Sequence, residues 1–116
     1  MWTAWDKSAT LRKLAKVLEQ NPDINVTVEG HTDADNFAGS GSLKDKWDLS
    51  VMRATQIVKL LLNSATIDAK RITASGRGEF FPLDPSNSDA AKKKNRRTEI
   101  ILTPKLDELY QMLNEK

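Results

Sequence analysis

The chain contains no cysteine. That removes a disulfide framework, a thiolate nucleophile and every cysteine-based zinc or iron–sulfur site. It leaves oxidising and reducing compartments equally open. Histidine occurs once, as His31. A His31-x-Asp33 pair falls short of the three or four ligands that a zinc ion takes, so no metal or other cofactor is expected. No strictly apolar run is longer than Leu60–Leu62. That is far too short to cross a bilayer, and no membrane insertion by this segment is expected. Charge of one sign is lacking as well: 18 Lys and Arg face 16 Asp and Glu, a net of only +2. A dedicated nucleic-acid binder usually concentrates basic charge, so nucleic acid is not an expected partner. The one basic run, Lys92-Lys93-Lys94 into Arg96-Arg97, has no interleaved aromatics for base stacking and reads as a solvated face. Trp2, Trp5 and Trp47 are too scattered for a platform, and Trp47 reads as a plug over the core. At Met1 no secretory signal is visible, because Trp2, Thr3, Ala4 and Trp5 run at once into Asp6. An export signal and any anchor are expected outside these residues.

What is present suits one domain over residues 1–116. Apolar residues at 39% supply a core and charged residues at 29% supply solubility. Leu11, Leu14, Ala15 and Leu18 recur at helical spacing, which predicts a helix over Lys7–Gln20 stopped by Asn21-Pro22. Ile24, Val26 and Val28 alternate with Asn25, Thr27 and Glu29, a half-buried strand ending at Gly30. The polar stretch from Thr32 to Trp47 reads as a long loop, and long loops in small domains are often functional. A second helix is expected over about Leu49–Asn63, buried through Ala54, Ile57, Val58 and Leu61, with Asp48 or Ser50 as its N-cap. Short strands follow at Arg71–Ser75 and Thr98–Thr103, with a short helix at Asp89–Asn95 between them. Thr103-Pro104 reads as the start of a last helix carrying Leu106, Leu109, Tyr110 and Leu113 on one face. Alternating elements of this kind imply an α/β fold: a two-layer sandwich, a mixed β-sheet with helices packed on one face.

Two positions stand out as candidates for chemistry. Asp33 ends a strand in Gly30-His31-Thr32-Asp33, where α/β folds place ligands; an Asp there equally serves to cap local amides. Arg53, placed in the first turn of the second helix, opposes the helix dipole. Helix amides and a guanidinium fork together suit a carboxylate, while a structural ion pair with Asp33 or Asp48 explains the residue as well. Asp33 and Asp35 have no nucleophile or second base in reach, so catalysis is not expected and the chain does not read as an enzyme. Gly76-Arg77-Gly78-Glu79 lacks the third glycine and the following helix of a dinucleotide site.

In order along the chain, Asn21-Pro22-Asp23, the strand Ile24–Val28, Gly30-His31-Thr32-Asp33, Leu49-Ser50 with Arg53-Ala54, Arg71-Ile72, Gly76-Arg77-Gly78-Glu79 with Pro82, and Asn95-Arg96-Arg97-Thr98-Glu99-Ile100 resemble the OmpA-like peptidoglycan-binding family. That family includes the C-terminal domains of OmpA, Pal and MotB. The resemblance covers about residues 11–104. It implies non-catalytic binding of the diaminopimelate residue of the wall's stem peptide, tethering a larger envelope protein. By resemblance, Asp33 would hold the ligand ammonium and Arg53 its carboxylate. Arg96 would line the same pocket, with Thr32 and the amides around Leu49 and Ser50 assisting. The periplasmic face of the envelope is the implied location, with attachment to the outer membrane or an inner-membrane motor through a segment outside this chain. Three features depart from the family. The loop between Asp33 and Leu49 is long and nearer the MotB branch. The family's first strand is missing before the first helix, which leaves an open sheet edge. The appended helix at 105–116 lies beyond the family core. These departures support a rival reading, an oligomerisation or scaffold domain that has lost its ligand and dimerises through the open edge or the last helix.

Overall fold

The first helix ends where Pro22 removes an amide hydrogen and fixes the backbone in a turn. The computed structural model of the protein describes residues 7–104 and 107–114. Helix α1 (Lys7–Gln20) buries Leu11, Ala15 and Leu18 on one stripe, with Leu14 packed at its margin. The turn after it is held from across the chain: the Arg71 guanidinium donates to the carbonyls of Leu18 (2.8 Å), Asn21 (2.7 Å) and Ile24 (3.0 Å).

Strand β1 (Ile24–His31) is the centre of a mixed sheet, three-stranded among the described residues. It pairs in parallel with β2 (Ile72–Gly76) and antiparallel with β3 (Arg97–Pro104), in the order β2-β1-β3. Val26 and Val28 face the helices and join one core with Leu11, Ala15, Leu18, Ala54, Ile57 and Leu61. The helices therefore lie on one face, as the alternation of elements implies. Glu29 and His31 point to the opposite face, yet both are buried. The strand's polar side is thus not simply solvated.

Helix α2 spans Lys46–Ser64 and begins earlier than its apolar periodicity indicates. Its N-cap is Asp45, neither Asp48 nor Ser50. The Asp45 carboxylate accepts from the Asp48 amide (2.9 Å), and the Asp48 carboxylate accepts in return from the Lys44 amide (3.0 Å). This reciprocal capping satisfies donors that the helix cannot satisfy itself. Ser88 caps α3 (Asp89–Asn95) in the ordinary way, accepting from the Ala91 amide (3.1 Å).

At the other end of the chain, Thr103 and Pro104 do not open a helix. They extend β3, opposite Asn25 and Ile24. Proline is tolerated there because β3 is an edge strand among the described residues and one of its sides forms no ladder. Helix α4 covers Asp107–Asn114. Leu106 and the side chains of Leu109 and Tyr110, expected on its apolar face, lie outside the described residues, and Leu113 is exposed.

What fixes α2 on the sheet is a close approach. Ser50 is fully buried, and its carbonyl oxygen lies 2.1 Å from where a Cβ on Gly30 would stand. A Cβ on Gly76 would fall 2.4 Å from the Ser50 hydroxyl and 2.7 Å from the Val51 amide nitrogen. Only glycine in both strands lets the helix backbone settle this low. Gly30→Ala is therefore expected to cost about 3 kcal/mol or more, since a backbone carbonyl cannot turn away. Gly76→Ala should cost less, because its nearest backbone atom, the Val51 amide nitrogen, would stand 2.7 Å away rather than 2.1 Å. Urea unfolding of the two variants measures the ranking, and a neutral Gly30→Ala would refute the close seat.

Candidate functional site

The end of β1 delivers Thr32 and Asp33 to a surface bordered by α2, the loop after β2 and the end of α3. Local bonds fix them. The Thr32 amide donates to the Gly78 carbonyl (2.8 Å), and the Arg77 amide donates to the Gly30 carbonyl (3.0 Å). The Thr32 hydroxyl donates to the Asp33 carbonyl (3.2 Å) and so is engaged within the turn. Asp33 is buried and uses its two carboxylate oxygens differently. One accepts from the Asp35 amide (3.0 Å), the capping role open to any such Asp. The other meets the Arg96 guanidinium at 3.3 Å.

Arg96 is half-exposed and also lines a cleft of about 370 Å³ with Arg53, Gln56, Ile57, Leu60 and Thr98. Its backbone is held by α3 and by Asn95. The buried Asn95 amide group accepts from the amides of Leu83 (2.8 Å) and Asp84 (3.1 Å) and donates to the Asp84 carbonyl (2.9 Å). Asp33, Arg96 and Arg53 thus form a contiguous acid–base surface, with Arg96 as the shared member.

The position of Arg53 differs from its sequence-based placement. Because Asp45 starts α2, Arg53 sits about two turns into the helix rather than in its first turn. The dipole acts within the first turn and does not reach it. Its anion-binding capacity rests on its own guanidinium and on Arg96. Leu49 and Ser50 are likewise inside the helix. The Leu49 amide donates to the Asp45 carbonyl (3.1 Å), while the Ser50 hydroxyl donates to the Trp47 carbonyl (3.0 Å) and accepts from the Gly78 amide (3.1 Å).

Several neighbours escaped the sequence reading. The basic run is not merely a solvated face. Lys92 pairs with Asp35 at 2.7 Å, and each holds the other in its charged form, lowering the Asp35 pKa and raising that of Lys92. Lys46 donates to the Asp33 carbonyl (2.7 Å). Trp47 is not a core plug. It is half-exposed and stacked on Phe80, with ring centroids 5.1 Å apart.

A second charged group lies on the far face of the sheet. Cross-strand register sets Glu29 beside Glu99 and His31 beside Arg97. His31 Nε2 lies 2.8 Å from Glu29 and 2.7 Å from Glu99, so it carries the proton there, leaving Nδ1 buried without a partner among the described residues. Arg77 meets Glu29 at 3.2 Å and Arg97 meets Glu99 at 3.1 Å. The three donors Glu29, His31 and Glu99 are close enough to hold a metal ion. However, two guanidiniums already neutralise both carboxylates, and a divalent cation would have to displace them. The donor set does not fit a metal.

The chain matches the OmpA family over residues 4–96. Motility protein B of Bacillus subtilis strain 168 is 34% identical over 94 residues, which make up 81% of this chain but 36% of that protein. The chain thus spans about a third of the length of that relative. A solved putative MotB-like protein from Desulfovibrio vulgaris superposes with a TM-score of 0.75 at 30% identity, covering 84% of this chain and 62% of that one. The periplasmic domain of Helicobacter pylori MotB shares the fold, with a TM-score of 0.78 at 23% identity over 94% of this chain and 67% of that one.

The buried charges make stability depend on pH. Burial pushes the Glu29 carboxyl up, but Arg77 and His31 together outweigh it and leave the pKa below the ordinary 4.5. Burial, then Arg97, lowers His31 below its ordinary 6.5. In both cases the unfolded chain takes up a proton before the folded one, so acid destabilises the fold. Stability is expected to start falling below about pH 6.5 through His31, and again below about 4.5 through Glu29. Urea midpoints across pH measure this. A His31→Gln variant should lose the first decline, and its persistence would assign that decline elsewhere.

Proposed function

The chain belongs to the OmpA family, and on that premise we propose that it is a non-catalytic module that binds peptidoglycan through the diaminopimelate residue of the stem peptide. Its place would be the periplasmic face of the cell envelope, where it tethers a larger protein to the wall. The observation that carries the reading is the double role of Arg96, which is paired with Asp33 and lines the Arg53 cleft. A zwitterion matches this surface charge for charge. Its ammonium takes the place of the Arg96 guanidinium at Asp33, and its carboxylate receives Arg96 together with Arg53. Asp33 is buried and costly to leave unpaired, but the incoming ammonium replaces the departing guanidinium, so its charge stays compensated through the exchange. The cleft volume lies in the range of small-ligand sites. Thr32 and the Leu49–Ser50 segment shape the surroundings of Asp33 through backbone position, not through free amides. The residues 1–116 act as one such module in this reading.

The rival reading, an oligomerisation domain, draws on the exposure of Leu60, Ile101, Leu102, Met112 and Leu113. Titration with diaminopimelate followed by NMR separates the two, because only ligand binding moves resonances of Asp33, Arg53 and Arg96. Asp33→Ala and Arg53→Ala are each expected to lower retention on purified sacculi by at least about tenfold, the loss of one charge-assisted contact, with melting unchanged in Arg53→Ala and lowered but still cooperative in Asp33→Ala, which also loses the cap on the Asp35 amide. Undiminished retention in both variants would refute the site.

A further inference from the structure

Trp47 and Phe80 are 49% and 58% exposed, and their rings stack at an interplanar angle of 29°. Leaving two large aromatics in water forgoes burial that the core elsewhere secures, and exposed apolar patches of this kind mark binding surfaces. The pair is also held in place. Trp47 stands in the first turn of α2. Beneath the rings runs Gly78, buried and at φ +59°, where a Cβ would come 3.4 Å from the Phe80 ring and 3.7 Å from that of Trp47. Gly78 is in turn pinned on both sides, its amide to the Ser50 hydroxyl and its carbonyl to the Thr32 amide. The rings therefore rest on the same backbone that positions Asp33.

Around them opens a cleft of about 330 Å³ whose rim carries Asp35, Asn36, Asp45, Lys46 and Glu79. Aromatic faces ringed by carboxylates, an amide and an amine suit a pyranose sugar. Its C–H face lies on a ring while hydroxyl and acetamido groups bond to the rim. Three carboxylates against the ammoniums of Lys46 and of Lys92, which pairs with Asp35, leave a net negative rim that disfavours phosphate-bearing ligands such as nucleic acids and anionic lipids. The cleft is continuous with the Asp33 surface: the Asp35 amide donates to the Asp33 carboxylate, and Lys46 reaches both the Asp33 carbonyl and Glu79 (3.7 Å). A ligand that fills both places has a zwitterionic peptide joined covalently to a neutral sugar chain. We propose that Trp47 and Phe80 form a saccharide subsite for the N-acetylated amino-sugar strand that bears the stem peptide. This rests on the wall-binding reading and extends it to the glycan.

Three probes test the subsite by calorimetry and NMR: the free diaminopimelate-containing tripeptide, the same tripeptide carrying its disaccharide, and glycan strands stripped of peptide by an amidase. The disaccharide should raise affinity about five- to tenfold, the worth of an aromatic contact. Trp47→Ala and Phe80→Ala should remove that gain and leave the free tripeptide unaffected. In the unmutated protein the Trp47 indole resonance should shift with stripped glycan, a readout that needs no variant. Equal affinity for the first two probes overturns the subsite and leaves the peptide site standing. Glycan binding without any tripeptide binding supports the subsite and refutes the peptide site. Equal loss of tripeptide and muropeptide affinity in Trp47→Ala, or dissociation of an oligomer in that variant, overturns the proposal in favour of a positioning role or a docked second copy.

Discussion

The seat of α2 on the two strand glycines is the constraint on which the rest of the structure depends. With the Ser50 carbonyl lying where a Gly30 Cβ would stand, the first half of α2 is pressed onto the ends of β1 and β2. Ser50 then serves both sides of the contact. Its hydroxyl donates to the helix at Trp47 and receives the Gly78 amide from the loop. Gly78 in turn bonds Thr32. Three segments that are distant in sequence are thereby fixed at one place: the end of β1 with Asp33, α2 from Trp47 on to Arg53, and the loop carrying Phe80. At Gly30 the elements meet backbone to backbone, with no rotamer by which the spacing could adjust.

Two charged groups flank the end of β1, and each holds a buried carboxylate against a half-exposed arginine. On the far face of the sheet, Glu29, His31, Glu99 and Arg97 are buried or nearly so and bonded across strands, with Arg77 closing the group. Removing one partner there would strand another in a poorly solvated place, and such networks are rigid for that reason. The Asp33–Arg96 pair repeats the pattern of Glu29 and Arg77: a buried carboxylate faces a half-exposed guanidinium, at 3.3 Å in one pair and 3.2 Å in the other. What differs is the company each carboxylate keeps. Glu29 is also bonded to His31 and Ser75 within the sheet, whereas Asp33 has, besides Arg96, the amide of Asp35. A buried carboxylate is costly to leave without a cation, so the Arg96 guanidinium can leave Asp33 only as another cation takes its place.

Much of this was legible in the sequence, and the misses have physical causes. Leu11, Ala15, Leu18, Ala54, Ile57 and Leu61 announced their buried faces through periodicity, which reports burial directly. The start of α2 did not announce itself that way. Its first turn, Lys46-Trp47-Asp48, has no apolar rhythm, and the signal that marked it was the acidic pair Asp45-x-x-Asp48. Missing that pair displaced Arg53 into a first turn it does not occupy, so the family resemblance named a residue that the dipole reasoning had picked for the wrong reason. Glu29 alternates with Val28 as a solvent-facing residue should, and its burial arises from tertiary neighbours, Glu99 across β3 and Ser75 and Arg77 on the β2 side. Lys92 and Arg97 looked like solvated charge because their partners, Asp35 and Glu99, are set by tertiary contact or cross-strand geometry. Trp47 and Phe80 meet only because Gly78 passes beneath both.

The geometry also bears on how a small module of the proposed kind would hold a wall. Exchange at Asp33 trades one ion pair for others of similar worth, so little net affinity comes from it. The gain lies in the added contact with Arg53 and in whatever apolar surface the ligand covers. One clasped residue is therefore a weak tether. Two routes strengthen it without a tighter clasp. A second contact on the same ligand, placed next to the first and already rigid, adds its energy with little further loss of freedom. Many modules facing a polymer of repeated stem peptides add avidity, since each bound copy holds the others near their sites. Both routes keep individual contacts short-lived while the assembly stays attached. No single bond must then break slowly for the anchor to hold.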